Sequence, residues 1–161
     1  MKKLILPSIF TFTLLFSCNN DDNSSIDPII VDPNINAKKI IGTWGYESSK
    51  IKYSNDGKIE DDFDPNPQCT VLNKYTFTED NKYKTLQHYY HRGECMSLTE
   101  EYTYKVEGDK LFVNFEIEDT MYVIELHIEE LTATDLIMSN EGYRDYDGDG
   151  KNETIITHFK R

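Results

Sequence analysis

Positive charge is scarce in this sequence. Its 161 residues include 17 Lys and Arg against 29 Asp and Glu, which gives a formal net charge of −12 at pH 7. A surface of that sign repels nucleic-acid phosphates and anionic lipid headgroups. We therefore expect no nucleic-acid partner, and contact with a membrane has to come from something other than a basic face.

An apolar run near the N-terminus is too short to cross a bilayer. It covers Leu4–Phe16 and has 13 residues, whereas a membrane-spanning helix needs about 20. Lys2 and Lys3 precede it, and a basic end followed by a short apolar run is typical of an export signal. Residues 1–17 are therefore predicted to be a signal peptide.

The run Leu14–Cys18 resembles a lipobox, the processing site of bacterial lipoproteins. The resemblance implies acylation of Cys18 and membrane contact through its acyl chains. The alternative is an ordinary signal peptide cleaved near Ser17, in which Cys18 is incidental. Loss of residues 1–17 removes two basic residues and no acidic ones, so the mature net charge becomes 15 − 29 = −14.

Residues 18–38 begin with the lipidated Cys and continue in Asn, Asp, Ser and Pro, which is linker composition. We predict a flexible tether here, followed by one domain over residues 39–161. The acidic pair Asp21-Asp22 resembles the surface-export signal of Bacteroidetes lipoproteins. That implies anchoring in the outer membrane with exposure at the cell surface, although a plain solvated tether fits the same residues.

Helical periodicity is missing from the domain, where apolar and polar residues alternate instead. Eight short strands separated by turns predict an all-β fold. The expected architecture is an eight-stranded up-and-down antiparallel β-barrel, because closure removes exposed strand edges. The predicted strands are Ile40–Tyr53, Thr70–Thr78, Lys82–Tyr90, Ser97–Val106, Lys110–Glu118, Met121–Glu130, Asp135–Tyr146 and Glu153–Arg161.

Two hairpins predict the pairing register. Around Gly108 the expected partners are Val106–Leu111, Tyr104–Val113 and Tyr102–Phe115. Around Asp119-Thr120 they are Ile117–Tyr122, Phe115–Ile124, Val113–Leu126 and Leu111–Ile128. Both hairpins give the shared strand the same inward face, so three strands present one continuous apolar surface.

The first strand holds the only Trp of the sequence, in the triplet Gly42-Thr43-Trp44. Barrel closure sets this strand beside the last one, so Trp44 is expected near Lys160 and Arg161. A cation over the indole face would stabilise the closure by about 0.5–1 kcal/mol at an exposed site.

The Gly-x-Trp triplet, the strand count, the lipobox, the basic C-terminal residue and the stretch Leu131–Leu136 together resemble the lipocalin-like lipoproteins of Bacteroidetes. The resemblance covers about residues 39–161. It implies a closed barrel that binds a small, partly apolar molecule.

Cysteine is scarce, with three in the chain. If Cys18 is acylated, an exported protein retains Cys69 and Cys95, and this pair predicts a disulfide. In the chain-entropy model the bond stabilises the fold by roughly 3–4 kcal/mol. A redox or nucleophilic cysteine is the alternative, and no motif supports it.

An acidic loop near the C-terminus has carboxylates at positions 1, 3 and 5 and Gly150 at position 6, as in the first half of an EF-hand-like calcium loop. The predicted ligands are Asp145, Asp147, Asp149, the backbone carbonyl of Lys151, and Glu153. Ile156 stands where the bidentate Glu would be, so the expected calcium affinity is weak, on the order of 10⁻⁴–10⁻³ M. An acidic hairpin loop without metal explains the same residues, and both interpretations stay open.

Aromatic side chains dominate the predicted inward face and could line a pocket with polar handles. The candidate pocket residues are Tyr75, Phe77, Tyr102, Tyr104, Phe115 and Tyr122. Ordinary core packing is the alternative use of these residues.

No Ser-His-Asp or paired-carboxylate arrangement can be picked out, so we predict a binding protein and not an enzyme. The first hypothesis is a lipid-anchored envelope barrel that binds a small lipophilic molecule. The second is a structural or protein-interaction domain with a filled core and a calcium-ordered acidic rim.

Overall fold

The computed structural model of the protein describes residues 34–142 and 144–161. The predicted signal peptide, Cys18 and the tether up to residue 33 lie outside the described residues. The strands are β1 (Gly42–Lys52), β2 (Ile59–Asp61), β3 (Lys74–Phe77), β4 (Lys82–His91), β5 (Glu94–Glu107), β6 (Lys110–Ile117), β7 (Thr120–Leu131), β8 (Asp135–Glu141) and β9 (Thr154–Lys160). The helices are α1 (Ile35–Lys39) and α2 (Pro67–Thr70).

Eight of these strands close into one antiparallel barrel. They pair in the order β1-β3-β4-β5-β6-β7-β8-β9, and β9 pairs back onto β1. The short strand β2 pairs with the end of β1 at Lys50–Lys52, on the edge that β3 leaves open. The predicted eight-stranded up-and-down barrel is confirmed, with β2 as an addition inside the loop predicted after the first strand.

The β5–β6 hairpin has the predicted register at Val106–Leu111 and Tyr104–Val113. Its backbone ladder stops at Thr103–Asn114, so the predicted pair Tyr102–Phe115 is missing from it. Beyond this point β5 and β6 are no longer paired through their backbones.

The predicted register of the β6–β7 hairpin is wrong by two residues, since Phe115 pairs with Tyr122 and not with Ile124. The turn residues are Glu118 and Asp119, with φ of 49° and 61°. Two consecutive positive φ values are typical of the tight hairpin turn that matches strand twist. Because the error is an even number of residues, every side chain keeps its predicted face.

The predicted second strand is wrong over its first half, where the chain forms α2 and a turn. Pro67 suits a first helical position because its missing N–H would have no partner there. The carbonyl of Asn66 accepts hydrogen bonds from the N–H groups of Cys69 (2.9 Å) and Thr70 (3.3 Å).

The predicted seventh strand is too long at its C-terminal end, because β8 ends at Glu141. Gly142 donates its N–H to the carbonyl of Glu153 (2.6 Å), and the chain then leaves the sheet. A Cβ at Gly142 would lie 3.1 Å from that carbonyl oxygen, so the close approach favours glycine.

One end of the barrel is closed by α1 and by the first and last residues of the sheet. The helix lies in the segment predicted to be tether, and Asn36 donates its side-chain amide to the carbonyl of Gly108 (2.8 Å). Ile40 and Trp44 are fully buried, and the indole N–H donates to the carbonyl of Ile40 (2.8 Å).

Arg161 covers Trp44, with its guanidinium carbon 4.1 Å from the ring centroid. The same guanidinium donates to the carbonyls of Ala133 (2.7 Å), Ile41 (2.8 Å) and Lys39 (3.1 Å). One side chain therefore joins the first strand, the β7–β8 turn and the end of the chain.

The buried core lies toward this closed end. Its members are Ile40, Trp44, Phe77, Tyr104, Val106, Leu111, Val113, Ile128, Leu136, Met138 and Phe159. Within the described part of the chain, the helices are too short to cross a membrane.

Candidate ligand-binding cavity

A cavity of about 370 Å³ lies among five neighbouring strands, β4 to β8. Pockets for small molecules usually have 300–1,000 Å³. The lining side chains are Tyr83, Thr85, Gln87, Tyr102, Val113, Phe115, Ile124, Leu126 and Asn140. Six of these nine are aromatic or aliphatic, so the cavity is mainly apolar with three polar groups in it.

Strand alternation puts these side chains together. Successive side chains of a strand point to opposite faces, and Tyr83, Thr85 and Gln87 alternate along β4. Tyr83 pairs with Phe77 on β3, which is 1% exposed and belongs to the core. The row that starts at the core therefore continues into the cavity.

Aromatic rings form a continuous series across the lining. The ring centroids of Tyr83 and Tyr102 are 6.1 Å apart, and those of Tyr102 and Phe115 are 6.2 Å apart. Phe115 stacks on Tyr122 at 5.5 Å. Such pairs stabilise by about 0.5–1.5 kcal/mol beyond their buried area, so one wall of the cavity is held in place before any ligand arrives.

The phenol groups in this wall are strongly held in the neutral form. Burial raises the pKa of Tyr83. Burial, and then the hydrogen bond with Glu100, raise the pKa of Tyr102 to about 12. Both side chains are therefore uncharged at neutral pH and present a ring and a hydroxyl.

The structure divides the predicted pocket residues among three environments. Tyr102 and Phe115 line the cavity, as proposed from the sequence. Phe77 and Tyr104 are in the core beneath it, with ring centroids 5.1 Å apart.

The remaining two of the predicted set lie away from the lining. Tyr75 packs edge-on against Phe159 at 5.0 Å, on the side of the barrel where β3 and β9 flank β1. Tyr122 is 45% exposed and lies at the rim, stacked on Phe115. Of the predicted pocket residues, four therefore contribute to packing and do not line the cavity: Phe77, Tyr75, Tyr104 and Tyr122.

Sequence reasoning missed the polar lining residues Thr85, Gln87 and Asn140. A signal for two of them was present, because Tyr83 pairs with Phe77 across a short turn, and alternation along the strand then makes Thr85 and Gln87 face inward. Nothing comparable marks Asn140, which lines the cavity from β8.

The mouth of the cavity is at the end opposite α1, where the β4–β5 and β6–β7 hairpins extend past the rest of the sheet. Exposed apolar side chains continue the inward-facing rows there: Tyr89, Met96, Leu98, Ile117 and Tyr122. An apolar rim of this kind is typical of an entrance through which an apolar ligand passes.

The predicted disulfide is present and fixes one of these hairpins. Cys69 on α2 is bonded to Cys95 at the start of β5, with a Cα–Cα distance of 5.5 Å. Beside it the side-chain carbonyl of Asn73 accepts the backbone N–H of His88 (2.5 Å). The β4–β5 hairpin is thereby tied to the long loop that follows β1 and β2.

The acidic loop between β8 and β9 brings three of the predicted metal ligands together. Carboxylate oxygens of Asp145, Asp147 and Asp149 all lie within 4.8 Å of one another. The N–H of Gly150, and less strongly that of Gly148, hold the pKa of Asp145 below its usual range. These three groups could hold a cation, and Lys151 donates its N–H to Asp149 (2.8 Å) beside them.

Glu153, the fourth carboxylate of the predicted set, has a different role from the one expected. It is fully buried, and its carboxylate accepts hydrogen bonds from the N–H groups of Ser54 (2.6 Å) and Tyr146 (3.3 Å). Ser54 also donates its hydroxyl to Asp149 (2.8 Å). Glu153 thus orders the acidic loop and attaches it to the segment that follows β1.

Comparison with known proteins gives the family. Residues 40–138 match the sequence model of the lipocalin-like domain family, while a search of curated proteins by sequence returns no significant match. Among solved structures, the bovine lipocalin allergen Bos d 2 is similar with 17% identity over 81% of this chain and 75% of that chain, at a TM-score of 0.43. A deswapped triple mutant of bovine odorant-binding protein is similar with 14% identity over 76% of this chain and 74% of that chain, at a TM-score of 0.41. Because the family model spans more than half of the sequence, this chain belongs to the lipocalin-like domain family.

Proposed function

We propose that this protein binds a small, largely apolar molecule inside its barrel. The observation that carries the proposal is the cavity of about 370 Å³ between β4 and β8 with its mainly aromatic and aliphatic lining. An eight-stranded barrel has room for one small ligand when side chains do not fill it. Membership of the lipocalin-like domain family supports the same function.

The cavity volume of about 370 Å³ lies within the range of pockets that hold small molecules, so a small ring system fits in it. A larger ligand would extend through the mouth and contact the rim at Leu98, Ile117 and Tyr122. We infer binding and not catalysis, since the lining offers shape and hydrogen bonds.

Two variants test the location of the site. Ile124→Trp places a large ring in the cavity, whereas Val123→Trp places the same ring on the outer face of the same strand, where Val123 is 59% exposed. With naphthalene as the probe in isothermal titration calorimetry, we expect Ile124→Trp to weaken binding at least about tenfold, because the loss of burial for about two methylene-sized groups already costs that much.

Val123→Trp is the matched control and should bind naphthalene like the unsubstituted chain. Equal loss of binding in both variants, or in neither, would contradict a site inside the barrel. Absence of naphthalene binding to the unsubstituted chain would remove the proposal itself.

We also propose that the chain is a lipoprotein of the cell envelope, anchored in the outer membrane by acyl groups on Cys18. The support is the sequence of residues 1–22, with its signal-like run, lipobox and acidic pair. Incorporation of labelled palmitate that disappears in Cys18→Ser tests the anchor. Labelling that persists in Cys18→Ser would overturn it.

Calcium at the acidic loop is a separate proposal, supported by the clustered carboxylates of Asp145, Asp147 and Asp149. Its role would be to order the rim of the barrel, because three carboxylates this close repel one another without a cation between them. The interaction-domain hypothesis depends on such an ordered rim. The cavity favours the binding hypothesis instead.

A further inference from the structure

We propose that the cavity selects an uncharged ligand with one hydrogen-bonding group, and that the hydroxyl of Thr85 is the group that binds it. This inference rests on the proposed function and names the chemical class of its ligand. Three observations support it. Thr85 is buried, and the polar side chains beside it already have interaction partners. None of the side chains that line the cavity is charged.

Thr85 is buried and lacks an internal partner. The residue is 2% exposed, and its hydroxyl oxygen makes no hydrogen bond within the described residues. Two other buried polar atoms of the described chain share that condition, on Asp64 and His88, but neither residue lines the cavity. Buried hydroxyls nearly always have a partner, so a partner from outside the chain is the simplest account of Thr85.

The polar side chains on either side of Thr85 are already engaged. Across the sheet Thr85 pairs with Tyr75 on β3 and with Glu100 on β5. The Tyr75 hydroxyl interacts with the side chain of Asn73, and Glu100 interacts with the hydroxyl of Tyr102. Thr85 therefore lines the cavity with a hydroxyl that has no partner within the described residues and that can donate one hydrogen bond and accept others.

The lining excludes a charged ligand. None of its nine residues is Lys, Arg, His, Asp or Glu. The charged group that contacts the lining is the carboxylate of Glu100, through Tyr102. A ligand carboxylate would lose its hydration without gaining a cation, and it would lie near a second negative charge. An ammonium group would likewise lose its hydration, because no carboxylate is among the nine lining residues to pair with it.

A matched series of probes tests the hydrogen bond and the charge separately. The probes are naphthalene, 2-naphthol, 2-naphthoate and 2-naphthylmethylammonium, which share one ring system and differ in the polar group. They are titrated calorimetrically into the intact Cys18→Ser chain, which lacks the proposed acyl anchor and is handled without detergent. We expect 2-naphthol to bind about two- to tenfold more tightly than naphthalene, the range of one neutral hydrogen bond. Both ions should bind at least about tenfold more weakly than 2-naphthol.

Thr85→Val removes the hydroxyl and nearly keeps the side-chain shape. We expect it to abolish the advantage of 2-naphthol, a loss of about two- to tenfold, while naphthalene binding is unchanged or stronger. Thr85→Ser should keep the advantage. Thr99→Val is the matched control, because Thr99 is exposed on the outer face of the same hairpin. It should change the affinity of neither naphthalene nor 2-naphthol.

The outcomes separate this inference from the proposed function. Binding of naphthalene and 2-naphthol that Thr85→Val weakens equally, or leaves unchanged, overturns the role of Thr85 while the binding function stands. An ion that binds as tightly as 2-naphthol overturns the selection for an uncharged ligand. Failure of naphthalene and 2-naphthol alike to bind the unsubstituted chain removes the proposed function and this inference with it.

Discussion

At the residue scale, Arg161 shows how much closure depends on one side chain. Its guanidinium contacts the Trp44 ring and three backbone carbonyls, two from the segment before β1 and one from the β7–β8 turn. A lysine could supply the charge but not the planar arrangement of donors. The residue therefore joins the first strand of the barrel to the last.

We expect Arg161→Ala to lower the free energy of unfolding by about 1–3 kcal/mol, the cost of losing a cation–π contact and hydrogen bonds from a charged donor. Arg161→Lys should lower the free energy of unfolding by part of that amount. The measurement is urea denaturation followed by tryptophan fluorescence, which reports on Trp44 directly.

Lys160→Ala is the control for this prediction. Lys160 makes an exposed ion pair with Glu47 at 3.5 Å, and such pairs contribute less than about 1 kcal/mol. Equal destabilisation by Arg161→Ala and Lys160→Ala would show that closure does not depend on the guanidinium.

The position of Trp44 and Arg161 followed from the sequence, because it needs only strand order and closure. The importance of Thr85 did not follow. Its inward direction was implied by the pairing of Phe77 with Tyr83, but a threonine in a strand usually finds a partner. The missing partner depends on where Tyr75 and Glu100 direct their polar atoms, and that is a property of the packed side chains.

At the element scale, the loop between β8 and β9 has a structural part and a candidate metal part. Glu153 attaches the loop through backbone N–H groups of Ser54 and Tyr146. The aspartates form the cluster beside it, and Ser54 and Asn55 also contact Asp149 and Asp147. A change in the cluster should therefore alter cation binding without detaching the loop.

We expect the intact chain to bind calcium weakly, with a dissociation constant on the order of 10⁻⁴–10⁻³ M, and Asp147→Asn to weaken that binding further because one charged ligand is lost. Calcium titration followed by nuclear magnetic resonance shifts of Gly148 and Gly150 measures it. Asp56→Asn, in the neighbouring loop, is the control variant. Shifts in the unsubstituted chain that Asp56→Asn and Asp147→Asn reduce equally would indicate nonspecific screening.

Hairpins were the most predictable elements and the long loop was the least. The β5–β6 register followed from alternation, and the two-residue error in β6–β7 arose because Glu118 and Asp119, not Asp119 and Thr120, adopt positive φ. Alternation alone does not identify which residues of an acidic turn do so. The helix α2 was missed because Thr70, Val71 and Leu72 resemble a strand, whereas the Asn66 carbonyl and the disulfide at Cys69 hold the segment as a turn.

At the scale of the whole molecule, the barrel is divided into a filled end and a hollow end. Trp44, Phe77 and Leu111 fill the end beneath α1, and none of them exceeds 1% exposure. Toward the mouth, the β5–β6 ladder stops at Thr103–Asn114. The same inward rows therefore serve as core at one end and as cavity lining at the other.

This division explains why the sequence predicted a barrel but did not determine whether its interior is filled or hollow. Apolar alternation is the same along the whole inward row, from Val106 to Tyr102 on β5. Whether the row meets side chains or empty space depends on the point at which β5 and β6 stop pairing.

The most direct test of the account is to locate a bound probe inside the barrel. Intermolecular nuclear Overhauser effects are measured between 2-naphthol and the methyl groups of the protein. We predict contacts with Val113, Ile124 and Leu126, all of which line the cavity. Contacts confined to exposed methyl groups such as those of Val71 and Val123 would contradict the account, because the probe would then lie on the outside of a barrel that binds nothing within.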